Sequence, residues 1–231
     1  IRDRGGAVLL GGLTLGLAQG ISTQFTSSPQ LVEVMKVIGG STNMMRAFYS
    51  FMFFFTNVIA MSAGIQCLLV IRRHEQAGLL SAWLAGVWSR RTLYVVGLCW
   101  AILVASGVIM LYAVVTGTLA DQDMLTITDA LQYSIATWPA VMCALAVAAV
   151  LLAWLPRAMA VIWLWVVANS VIVLFNDLWQ LPDSVVQFLP LAYSPNVLIG
   201  DAVGPYPLVV CVATLALCVV AAWGWQRRDI G

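Results

Sequence analysis

The charged residues of this chain are spaced so widely that they leave six uncharged stretches of nineteen residues or more: 5 to 32, 47 to 71, 92 to 120, 130 to 156, 158 to 176 and 202 to 226. A helix rises about 1.5 Å per residue, so about 20 residues cover a hydrocarbon core of about 30 Å. Each stretch can therefore cross a bilayer. With 62% hydrophobic and 9% charged residues in 231, there is too little polar surface to wrap a soluble domain. The expected fold class is all-α integral membrane, a single domain over 1–231. Its six transmembrane helices fall at about 5–25, 47–71, 92–116, 133–154, 158–178 and 206–226.

The same spacing narrows the function. A Walker A loop needs Gly-Lys-Ser/Thr, and the single lysine sits in Met35-Lys36-Val37. No acidic, basic or histidine residue falls mid-span, where proton-coupled carriers and intramembrane proteases need their titratable groups. The cysteines, Cys67, Cys99, Cys143, Cys211 and Cys218, all lie in candidate spans without CxxC spacing, and His74 has no HExxH context. They read as packing residues, with no metal site or cofactor expected in the chain. A net charge of +1 without a basic stripe argues against a nucleic-acid partner. A protein of this kind that moves a solute either takes its energy from another chain or is a passive channel.

The arginines set an orientation. With both termini cytoplasmic and six crossings, the cytoplasmic segments hold Arg2, Arg4, Arg72, Arg73, Arg90, Arg91, Arg157, Arg227 and Arg228, nine of the eleven basic residues. Lys36 and Arg46 fall outside. Such a split is a strong positive-inside signal. Tryptophans give a weaker check, with Trp154, Trp223 and Trp225 expected near the inner interface and Trp138 and Trp179 near the outer one. Arg2 and Arg4 ahead of an apolar run, with Ala18-Gln19-Gly20 nearby, also fit a secretory signal peptide. Removing that segment would leave five spans and spoil the arginine pattern. The start at Ile1 rather than Met predicts residues upstream.

Two connecting segments are unusually apolar. Gln76 to Ser89 is fourteen uncharged residues, too short to span, with Leu79, Leu80, Trp83, Leu84, Val87 and Trp88 alternating with small residues. A helix of this pattern has one bulky apolar face and one small flat face, suited to lying on the cytoplasmic interface and receiving a partner. A plain surface-lying connector is the other reading. Residues 182–200 carry Pro182, Pro190 and Pro195 in an apolar run, which breaks a continuous helix and predicts a folded outer cap or re-entrant hairpin. A short amphipathic helix over Pro29 to Val37 is expected on the same side.

Inside the spans, Gly12, Gly16 and Gly20 form a small-residue ridge for helix packing. Ser50, Asn57 and Gln66 are polar on the second span, beside Phe48, Phe51, Phe53, Phe54 and Phe55, and Asn169 is polar on the fifth. They are the candidate lining of a path for an amphiphile. Interhelical hydrogen bonding explains them about as well.

The segment His74-Glu75-Gln76-Ala77-Gly78-Leu79-Leu80-Ser81-Ala82-Trp83-Leu84-Ala85-Gly86-Val87-Trp88-Ser89-Arg90 carries a resemblance. It is similar to the motif E-E-x-x-G-R-x-E-x-L-L-A-x-x-x-S-R that follows the second helix in type-2 ABC transporter permeases of the actinobacterial antibiotic and multidrug exporter group. Glu75, Gly78, Leu84, Ala85, Ser89 and Arg90 match in register. Leu155-Pro156-Arg157, Leu181-Pro182, Ser194-Pro195 and Arg227-Arg228-Asp229 extend the likeness along nearly the whole chain. Where the group has acids at 74 and 81 and Arg at 79, this chain has His74, Ser81 and Leu79.

The resemblance implies the second six-helix half of an exporter in the bacterial cell membrane, pairing with another six-helix half, fused or separate. It implies that residues 75–91 form a coupling helix, with Glu75, Gly78, Leu84, Ser89 and Arg90 contacting a separate ABC ATP-binding subunit that holds ATP and Mg. Pro156 and Arg157 would form a cytoplasmic turn. The cargo would be a drug, an antibiotic or another small amphiphile, and membrane lipids would surround the chain. No enzymatic chemistry in this chain is expected. The alternative from another class is a non-transporting membrane scaffold or sensor subunit.

Overall fold

A computed structural model describes residues 41–76, 90–120, 125–179, 189–195, 197–198 and 204–227. Within them the chain is all-helical. We number the helices α1 (Ser41–Gln76), α2 (Arg90–Leu119), α3 (Ile127–Trp154), α4 (Val161–Trp179) and α5 (Tyr206–Arg227). Short 3-10 turns follow at Pro156–Ala158 and Pro190–Tyr193. Among the described residues four helices are long and apolar enough to cross a membrane: Phe48–Glu75, Thr92–Leu119, Ile127–Trp154 and Pro207–Arg227. In α4 the apolar run Val161–Phe175 is shorter. The expected first span at 5–25, with Gly12, Gly16 and Gly20, lies outside the described residues.

Interhelix contacts fix the direction of each helix. Ile71 near the end of α1 lies against Gly97 near the start of α2, and Gly117 near the end of α2 lies against Ile127 at the start of α3. At its far end α3 meets α5, where Trp154 Nε1 donates to the Val220 carbonyl at 3.1 Å. One end of the bundle, the arginine end, therefore collects the helix termini and the turn that carry Arg72, Arg73, Arg90, Arg91, Arg157 and Arg227. The other, the proline end, holds the start of α1 with Arg46 and the Pro190–Tyr193 turn.

The helix boundaries have local causes. Thr126 caps α3, its hydroxyl accepting from Asp129 N at 3.2 Å while Asp129 Oδ2 accepts from Thr126 N at 3.3 Å. This reciprocal box carries the helix six residues before the start expected at 133, because Asp129 is a capping group rather than a loop acid. Between α3 and α4, Pro156 opens a 3-10 turn at its first position, where a missing N–H costs nothing. The fourth helix accordingly begins at Val161 rather than 158.

Helix α3 is the hub. In its membrane-length window 67% of residues are buried, against 39% in α1, 28% in α2 and 17% in α5. Ala140, Ala144 and Ala148 recur every fourth position, with Ala149 and Ala153 beside them, all in the main core. Alanines at that spacing let neighbouring backbones approach closely, which matters in lipid because packing rather than hydrophobic exclusion holds helices together. Gly64 of α1 sits at the junction of three helices: a β-carbon there would meet Leu145 Cδ2 of α3 at 2.6 Å and the Ala101 carbonyl of α2 at 3.1 Å.

Aromatic rings close both ends. At the arginine end Tyr94 stacks on Trp225 at 5.3 Å, Trp154 lies 5.4 Å from Trp223, and the Arg227 guanidinium covers Trp223 at 3.8 Å. Trp225 lies at the arginine end and is 1% exposed, so its ring is packed inside the bundle. At the proline end Phe53 contacts Tyr112 at 4.9 Å and Tyr133 at 5.0 Å. Trp138 donates Nε1 to Ser106 Oγ at 2.9 Å and so ties α3 to α2.

Candidate functional site: a polar cavity near the proline end

The polar residues of α1 and α3 meet around a cavity of about 250 Å³ lined by Ser50, Phe51, Phe54, Asn57, Tyr133, Thr137, Val173, Leu174, Leu191 and Ser194. Each wall follows from helix geometry. Ser50 and Asn57 are seven residues apart on α1, two full turns, and so share a face; Tyr133 and Thr137 are one turn apart on α3. Helix α4 adds Val173 and Leu174, and the 3-10 turn brings in Leu191 and Ser194. Pro190 occupies the first position of that turn, and Leu189 and Leu191 are buried beside it.

The polar groups of the cavity wall are poorly paired with one another. The Thr137 hydroxyl has three acceptors within reach: the Tyr133 carbonyl at 3.1 Å, the Ser134 carbonyl at 3.4 Å and Asn57 Oδ1 at 3.5 Å. It has one proton, and the nearest acceptor is its own helix backbone. Asn57, only 2% exposed, is left with a bond at the limit of useful length. Tyr133 donates to the Ser50 carbonyl, also at 3.5 Å. Among the described residues Ser194 Oγ is buried with no partner. An unsatisfied buried polar group costs about 1–3 kcal/mol.

Among the described residues no carboxylate, amine, guanidinium or imidazole belongs to the lining. The wall offers an amide, hydroxyls and aromatic faces, which recognise neutral polar groups and apolar bodies. Phe51 and Leu174 at the rim are exposed, so the cavity opens on the side of this chain.

The sequence-derived candidates are distributed unevenly. Ser50 and Asn57 line the cavity. Gln66 is exposed on the opposite side of α1, as nine residues at about 100° each require. Asn169 is fully buried on α4, one turn before Val173, and among the described residues neither its Nδ2 nor its Oδ1 has a hydrogen-bond partner. Glu75 and Arg90 stand at the arginine end, at the close of α1 and the opening of α2, and Pro156 with Arg157 forms the turn before α4. Gly78, Leu84 and Ser89 lie outside the described residues. Tyr133, Thr137 and Ser194 are additions: the Tyr133-Ser134-Thr137 cluster was visible as a polar patch in an apolar window, whereas nothing local marks Ser194 as a neighbour of α1.

The family comparison bears on the whole of this architecture. Residues 5–226 match the family described as multidrug efflux system permease Rv1217c, C-terminal domain. The chain belongs to this family. The match leaves out only the first four and last five residues, and so takes in all five helices but the final arginine of α5. The description as a C-terminal domain agrees with the likeness to the second half of an exporter permease. No curated protein sequence matches the chain. As a multidrug efflux permease domain, the chain is a transport component of the membrane.

Proposed function

We propose that this chain is the membrane-spanning second half of an ATP-driven exporter of drugs, antibiotics or other amphiphiles, powered by a separate ATP-binding subunit. The observation that carries this reading is the match of residues 5–226 to a multidrug efflux permease domain. In this reading the arginine end faces the cytoplasm of a bacterium with both termini, a sixth span is supplied by residues 5–25, and a second six-helix half completes the path. Mg-ATP is bound by the partner subunit and not by this chain.

The geometry supplies a means of coupling. Helix α1 ends at Gln76 and α2 begins at Arg90, with Ile71 packed against Gly97 just inside those ends. Residues 77–89 thus connect neighbouring helix ends, and a push on that segment loads α1 and α2 together. Helix α1 runs unbroken from Glu75 to Asn57 and Ser50, a rise of about 27 Å to the first and about 38 Å to the second. A displacement at Glu75, Gly78, Leu84, Ser89 or Arg90 would reach the cavity wall along one rigid rod, changing its shape between inward and outward arrangements.

Purification of this chain with a candidate ATP-binding subunit tests the proposal, with substrate-stimulated ATP hydrolysis as the readout. The pair is expected to copurify, and Glu75→Gln, Gly78→Val or Arg90→Ala is expected to lower the stimulated rate without lowering the basal rate. Full stimulation in all three variants would rule out coupling through 75–91. Failure to copurify with any ATPase would favour the scaffold or sensor alternative.

A further inference from the structure

We propose that the cavity between α1, α3, α4 and the Pro190–Tyr193 turn receives the uncharged, hydrogen-bonding head of an amphiphile, with Asn57 selecting neutral over cationic heads. The proposal rests on the exporter reading and goes further by naming the chemistry of the cargo. Its first support is size. At about 250 Å³ the cavity lies below the range of about 300–1,000 Å³ that encloses a whole drug-sized ligand. It fits one end of a molecule. The remainder has a path out over Phe51 and Leu174, which are exposed at the rim, and Phe55, which contacts Phe51 edge to face at 4.7 Å.

The second support is the unmet hydrogen bonding. One Thr137 proton is contested by three acceptors, which leaves Asn57 Oδ1 open to a ligand hydroxyl or amide N–H. Nδ2 of the same amide can donate to a ligand oxygen. Ser194 Oγ, buried and unpartnered among the described residues, supplies a second group on the facing wall. One turn along α4 from Val173, the Asn169 amide is buried and equally unpartnered among the described residues. The third support is charge: among the described residues the lining carries no acid to neutralise a cation and no base to neutralise an anion. An ionised head would be desolvated against these residues without a counter-charge from them, whereas hydroxyl and carboxamide heads exchange water hydrogen bonds for those of Asn57 and Ser194.

Two fluorescent probes with the same dansyl group and decyl chain, one ending in a carboxamide and the other in trimethylammonium, test this on the assembled transporter in nanodiscs. The carboxamide probe is expected to bind about tenfold more tightly than the cation. Asn57→Leu should weaken the neutral probe by about tenfold and leave the cationic one unchanged, and Asn57→Asp should reverse the preference. Ser194→Ala, which removes one buried hydroxyl at the end of the Pro190–Tyr193 turn and changes no helix residue, is expected to weaken the neutral probe a few-fold and keeps the test open if the Asn57 variants misfold. Equal binding of both probes, or an unchanged preference in Asn57→Asp and Ser194→Ala, would overturn the proposal. Selective binding without ATP-dependent movement would sustain the cavity assignment and overturn the exporter reading. ATP-dependent export with no probe preference would do the reverse.

Discussion

Gly117 of α2 lies so close to Ile127 of α3 that a β-carbon built on the glycine would stand 2.6 Å from the Ile127 α-carbon. The neighbour is backbone and cannot rotate away. Gly117→Ala must therefore push α2 from α3 at the proline end, with an expected loss of about 1–3 kcal/mol. Gly107, ten residues earlier on the same helix, has nothing within 4 Å of its β-position. Gly107→Ala should be neutral or gain up to about 1 kcal/mol of helix propensity. Thermal unfolding of the two variants in the same detergent checks the contrast, and equal melting temperatures would show that the α2–α3 contact is looser than described.

Trp154 holds α5 at the arginine end by two means. Its indole N–H reaches the Val220 carbonyl at 3.1 Å, and its ring covers Gly224. Trp154→Phe keeps a ring but loses the donor, for an expected cost of about 0.5–1.5 kcal/mol. Gly224→Val should cost more, because a branched side chain and the indole cannot share the space. Chemical denaturation in mixed micelles would rank the two, and the opposite order would mean that the hydrogen bond outweighs the close approach.

Pro139 breaks the backbone ladder of α3 just past the cavity wall, since it has no N–H for the Ile135 carbonyl. The back-bonded Thr137 hydroxyl lies in the same turn and favours bending there. Residues 127–138, with Tyr133 and Thr137, are thus joined to the buried alanine-rich half by a weak point. Pro139→Ala is expected to raise or preserve thermal stability while lowering the transport rate several-fold. Unchanged transport in a well-folded variant would remove any role for the bend.

Asn169 separates stability from function. Its amide is fully buried and, among the described residues, unpartnered, so Asn169→Leu, close in volume, should stabilise the fold by about 1–3 kcal/mol. If the residue belongs to the path, the same change lowers efflux. Melting temperature and efflux measured together decide it: a stabilised variant with full efflux would make Asn169 a packing residue.

Sidedness is testable at two exposed positions. Thr118 lies at the proline end and Gln226 at the arginine end. In intact cells an impermeant maleimide is expected to label Thr118→Cys and to miss Gln226→Cys until the membrane is opened. The inverse pattern would reverse the orientation.

Much of the bundle was legible because the lipid imposes a simple rule. Runs without charge become helices, and the runs at 47–71, 92–116 and 206–226 lie within α1, α2 and α5. The rule started the third run at 133 rather than 127 because Asp129, a carboxylate that accepts the Thr126 backbone N–H at the helix start, has the same one-letter signature as a loop acid. Grouping Gln66 with Ser50 and Asn57 followed their shared polarity, and helical periodicity alone places it half a turn away. The place of Trp225 near the end of a span does not tell that its ring is buried, because only the packing of α2 beside α5 reveals the Tyr94 ring against it. The cavity itself needed three dimensions. Ser50 and Ser194 are 144 residues apart, and no periodicity within either segment encodes their meeting.

The most direct measurement is accumulation of the neutral dansyl carboxamide probe in inside-out vesicles carrying the full transporter. Paired vesicles differ only in the Walker A lysine of the partner ATP-binding subunit. Uptake that requires ATP and vanishes with the lysine variant is the predicted result. Uptake that proceeds without ATP, or survives loss of that lysine, would show that this permease domain does not draw its power from a second chain.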